Sequence, residues 1–262
     1  VAVVFGLQAR GQAGQVAELV ARIPAAIRDA DARGDLFAAN NYRGGFHSLA
    51  RIAAGQIAEV QADLRKVVET WKPGFYQMHA YHRVFTGVAV DLYTGDPRSA
   101  VARIEQDWPE LKAGLFLRME LPAMELRWTR ARAALALAAQ QTGRARQALL
   151  GQVRALMRSI ARATTAAAGS HAALLAAGLD VVEGRRGMVT VRLRAALSGY
   201  TAANMAMHRE VVRWCLAQRL DGEEARVMHA EVDAWMRREG VPAMAPLADA
   251  LAPGLGEGVS PR

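Results

Sequence analysis

Cysteine is almost absent from this sequence, and the scarcity removes several possibilities at once. A single Cys215 leaves no intrachain disulfide and no multi-cysteine zinc site, which fits a reducing, cytoplasmic setting. Aromatic residues make up only 6% of the chain, and long runs of β-branched alternation are missing, which argues against sheets. Lysine is nearly missing too: Lys66, Lys72 and Lys112 stand alone in an arginine-rich chain. No stretch has the basic start, apolar middle and small-residue cleavage site of a signal peptide. The best membrane candidate, the uncharged run Ala163 to Leu179, is mostly Ala, Thr, Gly and Ser with a histidine. It falls short of the roughly 20 strongly apolar residues a spanning helix needs, and reads as a buried alanine-rich helix. The chain also opens without methionine, on the apolar Val1-Ala2-Val3-Val4-Phe5, the pattern expected of a piece of a longer polypeptide.

Catalytic and cofactor signatures are likewise missing. There is no G-x-G-x-x-G, no P-loop and no G-x-S-x-G elbow, so the expectation is a non-enzyme without catalytic residues, cofactor or metal. His79 and His82 lie three apart but have no cysteine or carboxylate at ligand spacing, and read as packing residues beside Tyr76 and Tyr81. Cys215, one turn from Val211 and Val212, reads as a small buried hydrophobe.

What the chain does have is alanine and helical periodicity. Apolar residues make up 52% of its 262 residues, and small side chains let helices approach closely. From Tyr81 to Trp108 two amphipathic helices face each other across a turn. Tyr81, Val84, Phe85, Val88 and Leu92 share one face, and Ala100, Val101, Ile104 and Trp108 form the answering stripe. Thr94-Gly95 ends the first helix, Asp96 caps the second and Pro97 opens it, with Pro109 as its expected stop. Glycines recur in this role at 11, 55, 95, 143, 184 and 222, spaced by 44, 40, 48, 41 and 38 residues. Trp71 and Trp108 echo each other at the ends of successive second helices and read as plugs between hairpins.

The predicted fold is therefore all-α, an α-solenoid of about six tetratricopeptide-like hairpins. Residues 1–240 form the array with its first helix truncated, and 241–262 form a Pro/Gly-rich cap or tail, expected to be loose. Predicted helices cover 16–32, 35–54, 56–71 and the pair within 77–108, then a stretch over 111–140 kinked at Pro122. Others follow over 144–162, 165–183, 188–203, 206–219 and 221–238, the last opening in an Asp221-Gly222-Glu223-Glu224 capping box.

Charge is unevenly spread. The formal net charge is +8, yet residues 110–162 hold 10 basic and 3 acidic side chains, while the flanks are nearly neutral. Arg154, Arg158 and Arg162 recur along one helical stripe, and Arg127 and Arg130 lie on the preceding helix near Arg132. These five, Arg127, Arg130, Arg154, Arg158 and Arg162, form the candidate partner-binding patch. Guanidinium forks grip carboxylates or phosphates, so the partner expected is a protein or peptide, acidic or phosphorylated. Nucleic acid is disfavoured, because only Trp128 is interleaved with the arginines.

Several short runs occur in a fixed order: Arg33-Gly34-Asp35-Leu36-Phe37, Asp91-Leu92-Tyr93-Thr94-Gly95-Asp96 and Arg130-Ala131-Arg132-Ala133-Ala134-Leu135-Ala136. They end with Trp235-Met236, Gly240-Val241-Pro242, Met244 and Leu251-Ala252-Pro253-Gly254. This order resembles the C-terminal tetratricopeptide-like region of large multidomain bacterial serine/threonine protein kinases. The resemblance implies a non-catalytic interaction or regulatory scaffold whose kinase domain lies elsewhere, since no lysine strand, His-Arg-Asp loop or Asp-Phe-Gly is present. The alternative reading is a ligand-sensing helical-repeat domain of a large ATPase-type transcription regulator.

Overall fold

Helix termination by glycine organises the chain. In the computed structural model, which describes residues 2–45, 47–70 and 78–256, Gly14, Gly34, Gly55, Gly95 and Gly184 all have φ between 68° and 79°. In each case the next residue's N–H bonds back to a carbonyl five positions earlier: Asp96 to Asp91 at 2.8 Å, Arg185 to Asp180 at 2.7 Å, Gln56 to Arg51 at 2.9 Å. That closure satisfies the last free carbonyls of a helix and needs a left-handed residue. Asn204, with φ 53°, does the same through Met205 and Tyr200, and Gly240 through Val241 and Met236. Gly11, read as a turn glycine, lies inside the first helix, and Gly14 makes the turn.

Among the described residues the chain forms fourteen helices and no strand. They are α1 (Ala2–Gln12), α2 (Val16–Ala32), α3 (Leu36–Arg43), α4 (Ser48–Ala53), α5 (Ile57–Thr70), α6 (Met78–Tyr93) and α7 (Pro97–Ala113). Then come α8 (Glu120–Ala139), α9 (Gly143–Ile160), α10 (Ala168–Val182), α11 (Val189–Ala202), α12 (Ala206–Ala217), α13 (Gly222–Glu239) and α14 (Met244–Leu251). Neighbours pack in pairs, most extensively α6 on α7, α8 on α9 and α10 on α11. Asp35 and Asp96 cap α3 and α7, accepting from Ala38 N–H at 2.9 Å and Ser99 N–H at 3.0 Å. Asp221 makes no such side-chain cap.

Proline behaves differently from expectation in two places. Pro109 does not stop α7, which runs on to Ala113. The carbonyl it leaves without a donor belongs to Glu105 on the solvent side, where water can take the bond. Pro122 does not kink a long helix: the chain breaks over 114–119, and Pro122 sits in the first turn of α8, where its missing N–H has no partner to lose. The helix expected over 35–54 is split into α3 and α4 around Gly44-Gly45.

Burial divides the helices by role. The stripe Tyr81, Val84, Phe85, Val88 and Leu92 is buried as its spacing requires, but so are His82, Thr86, Ala89, Val90 and Asp91, so α6 is enclosed on nearly every side. α8, α10 and α12 are enclosed in the same way. By contrast α5, α9 and α13 each bury only one stripe of three residues and leave the rest to solvent.

Over its described residues, 241–256, the segment expected to be a loose cap packs on the core, while 257–262 lie outside the described residues. α14 rests on α6, α8 and α12, and Val241, Met244, Leu247, Ala248, Ala250, Leu251, Ala252 and Leu255 are all buried. A Cβ added at Gly178 would come within 2.4 Å of the Pro253 carbonyl, so α10 meets this segment backbone to backbone. The two ends of the row also touch. α2 contacts α13, Ala17 N–H donates to Glu239 Oε2 at 3.3 Å, and a Cβ at Gly14 would lie 2.6 Å from Met207 N.

Candidate interaction surface

The five arginines singled out by the sequence do not share one environment. Arg130 of α8 lies over the Trp108 ring, its Cζ 4.5 Å from the centroid, which fixes Trp108 between α7 and α8. With the Gln152 amide oxygen turned toward it, Arg130 Nε donates to α9 at 2.7 Å. Partial burial lowers its pKa, opposed by the charge of Glu105. Arg154 pairs with Glu183 at the end of α10. These two serve packing between helices. Arg158 and Arg162 are exposed, Arg127 is half-buried, and none of the three makes an ion pair or side-chain hydrogen bond among the described residues. Trp71, the echo of Trp108, lies outside the described residues, as does Tyr76.

The carboxylates of the same segment are all engaged with other groups. Glu110 meets His79 Nε2 at 3.2 Å. Glu120 accepts from the backbone N–H and the hydroxyl of Thr164 at 2.6 and 2.7 Å, which lowers its pKa. Glu125 is buried, accepts the Tyr81 hydroxyl at 2.5 Å, and is pushed up to about 7 by burial against the opposing pull of that bond. Arg127, Arg158 and Arg162 therefore form no ion pair with them, although the ionised Glu120 is held close to Arg162 by Thr164.

Elsewhere, arginines are paired by a rule that the sequence reading missed. Arg103 of α7 grips Asp91 of α6 through Nε at 2.8 Å and Nη2 at 3.0 Å. Arg192 of α11 meets Asp180 of α10 at 2.7 Å, and Arg51 of α4 meets Asp63 of α5. Each pair straddles a turn glycine at the same offsets, four residues before and eight after Gly95, Gly184 and Gly55. Opposite charges at that fixed spacing are legible in the sequence, and they mark which helices fold back on each other.

Two buried polar clusters form on and beside the enclosed helices. Arg132 is fully buried, its Cζ 3.7 Å from the Trp128 ring centroid, and it donates to the Ala250 carbonyl at 2.6 Å. Burial pushes it down to about 9, so it stays charged at neutral pH and faces the negative end of α14. Arg219 donates to the Leu255 carbonyl at 2.9 Å. Beside Arg132, His171 shares a 2.6 Å hydrogen bond with Tyr200 and stacks on Trp128 at 4.2 Å, with the His208 ring 5.6 Å away. Burial pushes His171 well below its ordinary pKa, helped by His208 and Arg132. Around α4 and α6, burial pushes His47 down to about 4 and His82 to about 3. These imidazoles are neutral at pH 7 and act as packing groups. His82 is buried as expected, while His79 remains partly open.

Cys215 is buried in α12 and pushed up to about 12 by burial, as a small core hydrophobe should be. Among the described residues no group of three or more His, Cys, Asp and Glu could hold a metal, and no helix is long and apolar enough to cross a membrane. The short runs behind the kinase resemblance all bear on the fold: Gly34, Gly95 and Gly240 turn the chain, Arg130 and Arg132 pack helices, and Pro253-Gly254 meets α10. No protein-family model, curated protein or solved structure matches the chain.

Proposed function

We propose that this chain is a non-catalytic interaction or regulatory domain, an α-solenoid of about six tetratricopeptide-like hairpins. On this reading it is the C-terminal part of a cytoplasmic bacterial signalling serine/threonine kinase and binds an acidic or phosphorylated protein segment. The recurring ion pair around Gly55, Gly95 and Gly184 supports a repeated hairpin unit. The observation that carries the binding reading is that Arg127, Arg158 and Arg162 make no ion pair among the described residues, in a segment of 10 basic and 3 acidic side chains. Such a patch raises the local positive potential and steers an acidic partner.

The filled centre also directs attention outward. α14 covers part of α6, α8 and α12, which favours a partner on the outer surface over ligand sensing between these helices. The test is fluorescence anisotropy with a glutamate-rich peptide and its phosphoserine counterpart. Both should bind at low salt, weaken steeply as salt rises, and weaken further in an Arg158→Glu, Arg162→Glu double variant whose melting is unchanged. Binding that ignores both salt and charge reversal, or phosphate transfer from ATP by the rigorously purified chain, would overturn the proposal.

A further inference from the structure

Nine large apolar side chains are exposed among the described residues, and three of them fall within seven residues of one another. Leu115 is 56% exposed, Met119 44% and Leu121 38%, in the loop between α7 and α8 and the first turn of α8. The loop is not slack. Phe116 points inward and stacks on Tyr81 with ring centroids 5.2 Å apart, and the N–H groups of Arg118 and Met119 both bond to the Leu115 carbonyl. An inward anchor between outward neighbours holds Leu115 and Met119 in solvent.

The same place is bordered by arginines that make no ion pair among the described residues, and by one carboxylate. Glu120 lies between Met119 and Leu121, and its two bonds to Thr164 tie the start of α8 to the segment just after α9. Arg162 is two residues before Thr164, and Arg158 one turn earlier on α9. Arg118 lies on the loop itself, exposed and without an ion pair among the described residues. The Glu120–Thr164 bonds thus bring the apolar loop and the basic end of α9, two segments distant in sequence, to one edge with net positive charge.

We infer that the α7–α8 loop and the end of α9 form a docking face for an acidic amphipathic helix of a protein partner, with Leu115, Met119 and Leu121 receiving its apolar stripe and Arg118, Arg158 and Arg162 its carboxylates. This rests on the proposed reading of the chain as an interaction domain and specifies its partner. Three aliphatic side chains match the anchors that about two turns of such a helix present. Guanidinium forks match planar carboxylates beside them. A nucleic acid would be served by outward aromatic rings, but Phe116 and Trp128 are turned into the core. A membrane surface would call for a longer apolar face.

The test uses the whole chain and a fluorescent synthetic peptide of about 18 residues, with leucines at helical i, i+3, i+4 and i+7 spacing and glutamates on the flanks. Controls are a scrambled peptide of equal composition, phosphatidylserine vesicles and duplex RNA. The helical peptide should bind at least about tenfold more tightly than the scramble. Leu115→Ser with Met119→Ser, and separately Arg158→Glu with Arg162→Glu, should each weaken it by about tenfold or more without shifting the melting curve. Equal binding of scramble and helix, lost only on charge reversal, would overturn the amphipathic docking face while leaving the acidic-partner reading intact. Loss of neither peptide with either double variant would overturn both. Tighter binding of vesicles or RNA than of the peptide, sensitive to the same variants, would assign the face to that surface and overturn the inference.

Discussion

Leu247→Ala tests whether the C-terminal helix is a structural member of the helical core. Leu247 is 1% exposed in α14, on the segment that rests on α6, α8 and α12. Enclosed by helices on several sides, the site cannot collapse easily, so truncation should cost about 2–5 kcal/mol. At about 2–4 °C per kcal/mol for a chain of this size, melting should fall by roughly 5–20 °C. Arg132→Met should act on the same element, because it removes the donor that reaches the Ala250 carbonyl at 2.6 Å and leaves that carbonyl buried. The two substitutions should therefore be non-additive in urea denaturation followed by far-UV circular dichroism. Cutting the chain after Gly240 removes Met244, Leu247, Leu251 and Leu255 together, each contributing about 1.5–3 kcal/mol, a sum comparable to the whole stability of a domain. That truncation should abolish the cooperative transition. A Leu247→Ala variant within about 0.5 kcal/mol of the parent, the range of a surface change, would refute the reasoning and restore a loose tail.

Stability should respond to pH through groups of opposite sign. Glu125 has a folded pKa of about 7 against an ordinary 4.5, so the fold prefers its neutral form and stability falls as pH rises from 4.5 to 7; Glu125→Gln should gain on the parent by up to about 3 kcal/mol across that window in urea titrations at several pH values. His47 and His82, pushed from 6.5 down to about 4 and about 3, are favoured neutral, so their contribution is present above pH 6.5 and lost on acidification; His47→Gln should flatten the acid limb by about one proton. Gly14→Ala and Gly34→Ala both force alanine into a left-handed turn at φ 70° and 68°, at about 1–2 kcal/mol each, but only Gly14 has Met207 N within 2.6 Å of the added methyl. Gly14→Ala should cost distinctly more, and equal losses would mean that the first pair does not press on α12.

How much of this was legible in the residues depends on the range of the interaction. Helix periodicity, capping and left-handed turns are local, so the α6–α7 stripes, the Asp96-Pro97 start and α2 at Val16–Ala32 followed directly from spacing. The pairing of successive helices was also readable, because a short turn leaves two apolar stripes no nearer surface to cover. The charge excess over 110–162 was visible too, but not its division into packing and free arginines. That division depends on where Trp108, Gln152 and Glu183 fall in space.

Only tertiary structure decided the rest, for one physical reason: contacts between distant segments leave no periodic mark. The tail 241–262 looked loose because its prolines and glycines break local pattern, yet Val241, Met244, Leu247, Leu251 and Leu255 are buried because α6, α8 and α12 offer them a surface and Arg132 and Arg219 meet the segment's carbonyls. Pro109 looked like a stop because a proline's missing bond is a local fact, whereas its tolerance depends on which side of α7 faces water. Sequence by itself determined an all-helical chain of paired, glycine-turned helices with one basic segment. Tertiary packing decided which of its faces are closed by the chain itself and which cations remain free, because burial is a property of neighbours and not of spacing.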